Sequence, residues 1–150
     1  MPAANTEKPR ATTVTLDASV AIPWVIQEQS NDAIDALFQD GYRNAATLIV
    51  PALWWWECGN ILNEMVKRDR LSAVEALEGF RMLRYARPEA DAPPTVDTQH
   101  RTLVLAQAHR LSYYDAAYLE LAQRSNSVLA TLDRELRTAA SAASVLCLDL

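Results

Sequence analysis

Val14-Thr15-Leu16-Asp17-Ala18-Ser19 is a short β-prone run that stops at a carboxylate. Its continuation decides the fold. Ser19 to Gln27 is apolar, and Pro23 near its start predicts a short helix with proline in the first turn. Ser30 is then placed to cap a helix over 32–40, closed by Gly41. Thr47-Leu48-Ile49-Val50 reads as the next strand, ended by Pro51. A strand, helices and a second strand in this order begin a parallel β-α-β unit.

The alternation continues outward. A long helix is expected over 52–68. Ser72 caps another, with Val74, Leu77, Phe80, Leu83 and Tyr85 at helical spacing. The stretch 88–95 holds Pro88, Pro93 and Pro94 and reads as a connection with room for one weak strand. Helices are expected over 97–110 and, after Ser112, over 114–123. Val128-Leu129-Ala130 is a buried-type strand, 133–140 a helix, and Val145-Leu146-Cys147-Leu148 a last strand. The expected architecture is α/β: one domain over 13–150, with a parallel sheet of about five strands and helices on both faces. Residues 1–12 are polar and read as a flexible tail.

In open parallel sheets the ligand site lies beyond the carboxyl ends of the strands. Asp17 ends the first strand there, and Asp133 follows the fourth. Glu57 lies about two turns into the helix after Val50-Pro51, and Asp115 sits in the first turn of its own helix. Taken singly, Asp115 suits a helix dipole, Asp133 a cap and Asp17 a turn. Glu57 is harder to dismiss, because Leu53, Trp54, Trp55, Trp56, Cys58, Ile61 and Leu62 surround it in sequence. A carboxylate among such neighbours is costly unless paired or metal-bound. Several carboxylates in one pocket repel and raise each other's pKa unless a cation lies between them. Oxygen-only ligands suit Mg²⁺ or Mn²⁺. One or two such ions can activate water and neutralise a scissile phosphodiester.

The same residues carry a resemblance. Leu16-Asp17-Ala18-Ser19-Val20, Pro51-Ala52-Leu53-Trp54 with Glu57 and Asn60-Ile61-Leu62, then Leu111-Ser112-Tyr113-Tyr114-Asp115-Ala116-Ala117-Tyr118-Leu119-Glu120-Leu121-Ala122, and Ala130-Thr131-Leu132-Asp133-Arg134-Glu135-Leu136 run in order along the chain. Together they resemble the PIN-domain ribonucleases of the VapC toxin type, over about 14–148. The Tyr-Asp-Ala-x-Tyr-Leu-x-Leu-Ala stretch is the most specific element. The resemblance implies that Asp17, Glu57, Asp115 and Asp133 form a catalytic Mg²⁺/Mn²⁺ site. It makes Ser19 and Thr131 supporting hydroxyls and Asn60 a supporting amide. It also implies an endoribonuclease acting on RNA as the toxin of a toxin–antitoxin pair. A homodimer and a cognate antitoxin, whose tail blocks the acidic pocket, complete that picture. Ala18 departs from the family pattern, standing where a hydroxyl residue is common.

Composition bounds the alternatives. With 14 basic and 19 acidic residues the formal net charge is −5, which excludes a general nucleic-acid coat. A local RNA track remains compatible with it, as does a basic partner segment. Arg81, Arg84 and Arg87 fall at roughly helical spacing and offer either a solvated face or contacts to RNA phosphates. Trp54-Trp55-Trp56 covers most of a helix circumference, so at least one ring leaves the core, for a dimer seam or an antitoxin groove.

The three glycines, Gly41, Gly59 and Gly79, are too scattered for a P-loop or dinucleotide fingerprint, so no nucleotide cofactor is expected. Cys58 and Cys147, with His100 and His109, do not make a zinc cluster. The cysteines read instead as free thiols of a reducing cytoplasm. No signal peptide and no membrane-length apolar run is present in the sequence given. A phosphotransfer or phosphatase protein also places acids at strand ends but needs a positioned lysine. Lys8 and Lys67, the only lysines, lie in a tail and at a helix end. A catalytically inactive PIN-like binding module is the other alternative, and the four acids weigh against it.

Overall fold

The computed structural model describes residues 12–150. The expected tail over 1–12 thus falls on 1–11, outside the described residues, while Thr12 already opens the first strand. The elements alternate as β1 (Thr12–Leu16), α1 (Ala18–Val25), a 3-10 turn (Gln27–Gln29), α2 (Asp32–Tyr42), β2 (Ala46–Val50), α3 (Trp54–Lys67) and α4 (Ala73–Tyr85). They continue as β3 (Glu89–Ala90), α5 (Val96–His109), α6 (Tyr113–Ser125), β4 (Val128–Ala130) and α7 (Arg134–Ala142). Among the described residues no helix is long and apolar enough to cross a membrane.

The strands form one parallel sheet in the order β3-β2-β1-β4. Val14 pairs with Leu48 on one side and with Val128 on the other, so β1 is central and buried. The chain leaves β3 on one edge and returns as β4 on the opposite side of β1. The strand order therefore reverses at β1/β4, where a crevice opens in folds of this kind. Asp17 N–H donates to Ala130 O (2.9 Å), carrying the β1–β4 pairing one residue past the strand end.

Leu16, Leu48, Leu119, Leu129, Leu136 and Trp54 are fully buried and join sheet to helices. The Trp triplet divides as its circumference requires. Trp54 is in the core, Trp55 is half-buried under Arg84, and Trp56 is 82% exposed.

Four expectations are corrected. The fifth strand over 145–148 shrinks to one parallel bridge, Leu129 with Cys147. Pro23 is not in the first turn but inside α1, so the Ser19 carbonyl loses its intrahelical donor. The cap of α2 is Asn31, whose side chain accepts from Ile34 N–H, while Ser30 Oγ donates to Asp35. Gly41 does not close α2 but lies within it; the left-handed residue beyond the helix is Asn44 (φ 57°).

Gly41 is glycine because another backbone passes there. A Cβ at this position would stand 2.5 Å from the Ala86 carbonyl oxygen and 2.6 Å from a Leu48 methyl. Helix propensity alone favours alanine by about 1 kcal/mol. Overpacking against backbone costs about 1–3 kcal/mol. Gly41→Ala is therefore expected to lower the urea midpoint without changing the slope. A raised midpoint would show that propensity wins.

Candidate metal centre

Five helix starts in this chain bear a capping side chain that caps: Asn31, Ser72, Thr95, Ser112 and Asp133 each accept from a backbone N–H of the first turn. Asp17 occupies the same position at the start of α1, with extended backbone, yet makes no capping bond. Its carboxylate is used elsewhere. Ser19 Oγ (2.6 Å) and Thr131 Oγ1 (2.7 Å) both donate to its Oδ2.

Each of these hydroxyls is held as a donor. Leu132 N–H donates to Ser19 Oγ (2.9 Å), and Asp133 N–H donates to Thr131 Oγ1 (3.0 Å). With an N–H occupying the oxygen, each hydroxyl proton is left for Asp17. The loop after β4 thus clamps the acid after β1 across 114 positions of chain.

Glu57 and Asp115 show the same division of labour. Tyr118 donates its hydroxyl to Glu57 Oε2. Ser112 Oγ donates to Asp115 Oδ2 (2.7 Å) while accepting Asp115 N–H (3.0 Å). In all three acids one oxygen takes a hydroxyl, and the other has no side-chain donor among the described residues. Glu57 and Asp115 are part-exposed, while Asp17 is buried and its carboxyl also takes a hydrogen bond from the Ser19 backbone.

The electrostatics tie the three together. Burial pushes the Asp17 carboxyl above the ordinary Asp range, opposed by the Ser19 and Thr131 hydroxyls and reinforced by the charge of Asp115. Burial also raises Glu57; the Tyr118 hydroxyl opposes this, and the charges of Asp17 and Asp115 add to it. The charges acting on both acids are thus negative. Burial, with Glu57 beside it, pushes the Cys58 thiol and the Tyr118 phenol well above their usual ranges, so both stay neutral. Cys58 is accordingly an inert buried thiol.

Asp133 is placed differently. Its Oδ1 accepts from Leu136 N–H (2.8 Å) and caps α7, and it joins Asp17 through Thr131. Asn60, one turn beyond Glu57, is exposed and makes no side-chain hydrogen bond among the described residues. Arg81 pairs with Glu78. Arg84 lies 4.7 Å over the Trp55 ring. Arg87 stands beyond the end of α4 in a left-handed conformation (φ 56°) and donates to Asn44 Oδ1 (3.2 Å).

No three acidic, histidine or cysteine side chains among the described residues stand close enough, as placed, to hold an ion between them. The donor chemistry nevertheless fits a hard divalent cation: three carboxylates, each oriented by a hydroxyl at one oxygen and without a second side-chain donor, with no neutralising cation acting on Asp17 or Glu57 among the described residues.

Two features escaped the sequence reading. One is Tyr118 as the group that orients Glu57. A buried tyrosine hydroxyl demands a partner, and that was the available signal. The other is an ionic cluster behind α6. Glu120 is nearly wholly buried and accepts from Arg101 Nε (3.1 Å) and Arg124 Nε (3.0 Å), and Arg124 also pairs with Asp91. An acid inside the run Leu-Glu-Leu-Ala was the signal there.

Comparisons with known proteins agree with this architecture. A family model described as PIN domain matches residues 14–142. No curated protein matches the chain in sequence. Among solved structures, PAE2754 from Pyrobaculum aerophilum is similar with a TM-score of 0.65 and 24% identity, over 86% of this chain and 80% of that one. VapBC2 from Rickettsia felis, bound to a DNA fragment from their promoter, is similar with a TM-score of 0.66 and 10% identity, over 91% and 98%. FitAcB from Neisseria gonorrhoeae gives a TM-score of 0.50 and 17% identity, over 91% and 96%. At these identities the likenesses carry the fold alone.

Proposed function

Because the chain belongs to the PIN domain family, we propose that it is a divalent-cation-dependent endoribonuclease hydrolysing RNA phosphodiester bonds. The observation that carries this reading is the shared arrangement of Asp17, Glu57 and Asp115. Each is steered by a hydroxyl at one oxygen and has no side-chain donor at the other among the described residues, and Asp17 lies beside the reversal of strand order. Asp133 is proposed as the fourth acid, and Ser19, Asn60 and Thr131 as its supports. These residues would hold one or two Mg²⁺ or Mn²⁺ ions, which supply acidified water and neutralise charge at the phosphate. The chain's own contribution is orientation. Ser19 and Thr131 hold Asp17, Tyr118 holds Glu57, and Ser112 holds Asp115. Arg81, Arg84 and Arg87 are proposed as contacts to the phosphates flanking the cut.

The resemblance to VapC-type toxins supports a role as the toxin of a toxin–antitoxin pair in the cytoplasm. The fold shared with VapBC2 from Rickettsia felis supports it too. The partners would be a cognate antitoxin and a second copy of the chain. An acidic protein of net charge −5 suits a basic antitoxin tail.

The test is cleavage of a mixed RNA panel by purified protein. Cutting is expected with Mg²⁺ or Mn²⁺ and none with chelator. Cleavage that persists in chelator would overturn the metal-dependent mechanism. Thr131→Val keeps the shape but removes the donor to Asp17, and is expected to lower cleavage about 10- to 100-fold with the fold intact. Unchanged rates would mean that the clamp after β4 is structural only.

A further inference from the structure

A cavity of about 310 Å³ opens at the carboxyl ends of β2 and β3. Pro51 and Leu53 after β2 and Ala92 after β3 line it, together with Trp56 and Tyr113, which are 82% and 43% exposed. Each of these two rings is chained to an acid of the candidate site. Trp56 immediately precedes Glu57 on α3. Tyr113 lies two residues before Asp115, in the first turn of α6. The cavity lies on the β2/β3 side of Asp17, along the same edge of the sheet.

The lining also includes a few polar groups, and these are fixed. Glu120 and Thr102 line it and are buried. Arg124 also lines it, with its guanidinium gripped edge-on by Glu120 and Asp91. A guanidinium held in that way keeps its flat face for stacking. Two exposed rings, apolar walls and a few hydrogen-bonding groups in one lining match the faces and the polar edge of a nucleobase. The volume suits one base.

From this juxtaposition we infer that the Trp56–Tyr113 cavity receives a base of the RNA substrate next to the nucleotide that is cut, and so selects the cleavage position. The inference rests on the ribonuclease reading above. Trp56 supplies the main stacking surface and Tyr113 the second, while Arg124, eleven residues further along α6, lines the cavity away from them. A single strand entering there has its phosphate led toward Glu57 and Asp115 by the helices that carry the rings. An unstacked base is required, so the substrate is single-stranded at the cut.

The experiment uses the full chain in chelator, where no cutting is expected, and short single-stranded RNAs bearing one fluorescent 2-aminopurine. Quenching on binding and the Kd are read for the parent, Trp56→Ala, Trp56→Phe and Tyr113→Ala. Loss of one stacked base is expected to weaken binding about 10- to 100-fold in Trp56→Ala and to abolish the quenching at one position of the RNA. Trp56→Phe is expected to keep most of both. The same series is then assayed with Mn²⁺, where Trp56→Ala is expected to raise KM more than it lowers kcat and to blur the cleavage position.

Parent protein that cleaves RNA while Trp56→Ala binds and cuts as the parent does would overturn the base pocket and leave the ribonuclease reading standing. Parent protein that cuts no RNA with any divalent cation would overturn both. Sizing by light scattering separates the rival occupant. If Trp56→Ala turns a dimer into a monomer with RNA affinity unchanged, the cavity seats protein, and the inference fails.

Discussion

Asp17→Asn is expected to lower RNA cleavage by about 100- to 1,000-fold or more, since it removes a charge that the reaction needs at a fixed point. The substitution is close to isosteric. Its remaining carbonyl oxygen can still accept from Ser19 and Thr131, whose bonds both go to one oxygen of the native acid. Stability should move the other way. The native carboxylate is penalised by burial and by Asp115, so a neutral amide relieves a cost. The melting temperature in chelator is therefore expected to hold or rise. Added Mn²⁺ should raise the melting temperature of the parent and leave that of the variant unmoved. The readouts are a cleavage time course and a pair of thermal melts. Full activity in Asp17→Asn would remove this residue from the chemistry altogether.

The second large effect is on stability. Arg124→Met is expected to cost about 3 kcal/mol, the low end for removing one partner of a buried ion pair, because Arg101 still reaches Glu120. For a domain of this size that corresponds to a fall in melting temperature of about 6–12 °C. The cost arises from Glu120, whose side chain is only 3% exposed and is left with Arg101 as its one ion-pair partner when Arg124 is gone. Asp91 loses its partner as well, loosening the link between the end of β3 and α6. Removing the buried charge too, in Glu120→Leu/Arg124→Met, should recover a good part of the loss. A double variant as unstable as the single one would show that the stem of Arg124 matters through its packing.

The strands, the parallel order and the acids that follow β1 and β4 were legible because each rests on local pattern, whereas Glu57, expected about two turns into its helix, lies in the first turn of α3 because the helix starts only at Trp54. Val14-Thr15-Leu16 and Val128-Leu129-Ala130 are short apolar runs ending in polar residues, and both are strands. Ser72 and Ser112 announce their helices by capping chemistry, and the structure has both caps. The features that were not legible depend on partners far along the chain. Gly41 looked like a helix terminator, but it answers to the Ala86 carbonyl. Glu89–Ala90 makes a strand only because β2 offers a free edge. The Glu120 cluster joins α6 to α5 and to the segment after β3, across 19 and 33 positions. The stretch after Val145 has strand composition but gains only the bridge at Cys147. The Tyr118 hydroxyl meets Glu57 across 61 positions.

The clamp between Thr131 and Asp17 has a consequence for timing. Its halves are separated by most of the chain, and β4 reaches β1 only by crossing over two strands already paired. Contacts of such sequence separation carry a large loop-closure cost and form slowly. During vectorial synthesis β1, β2 and their helices can assemble first, with Asp17 held by Ser19 alone. Only insertion of β4 brings the hydroxyl, the backbone N–H of Asp133 and the second wall of the crevice. The clamp on Asp17 is therefore completed only in a late step, after the strands it joins to are in place.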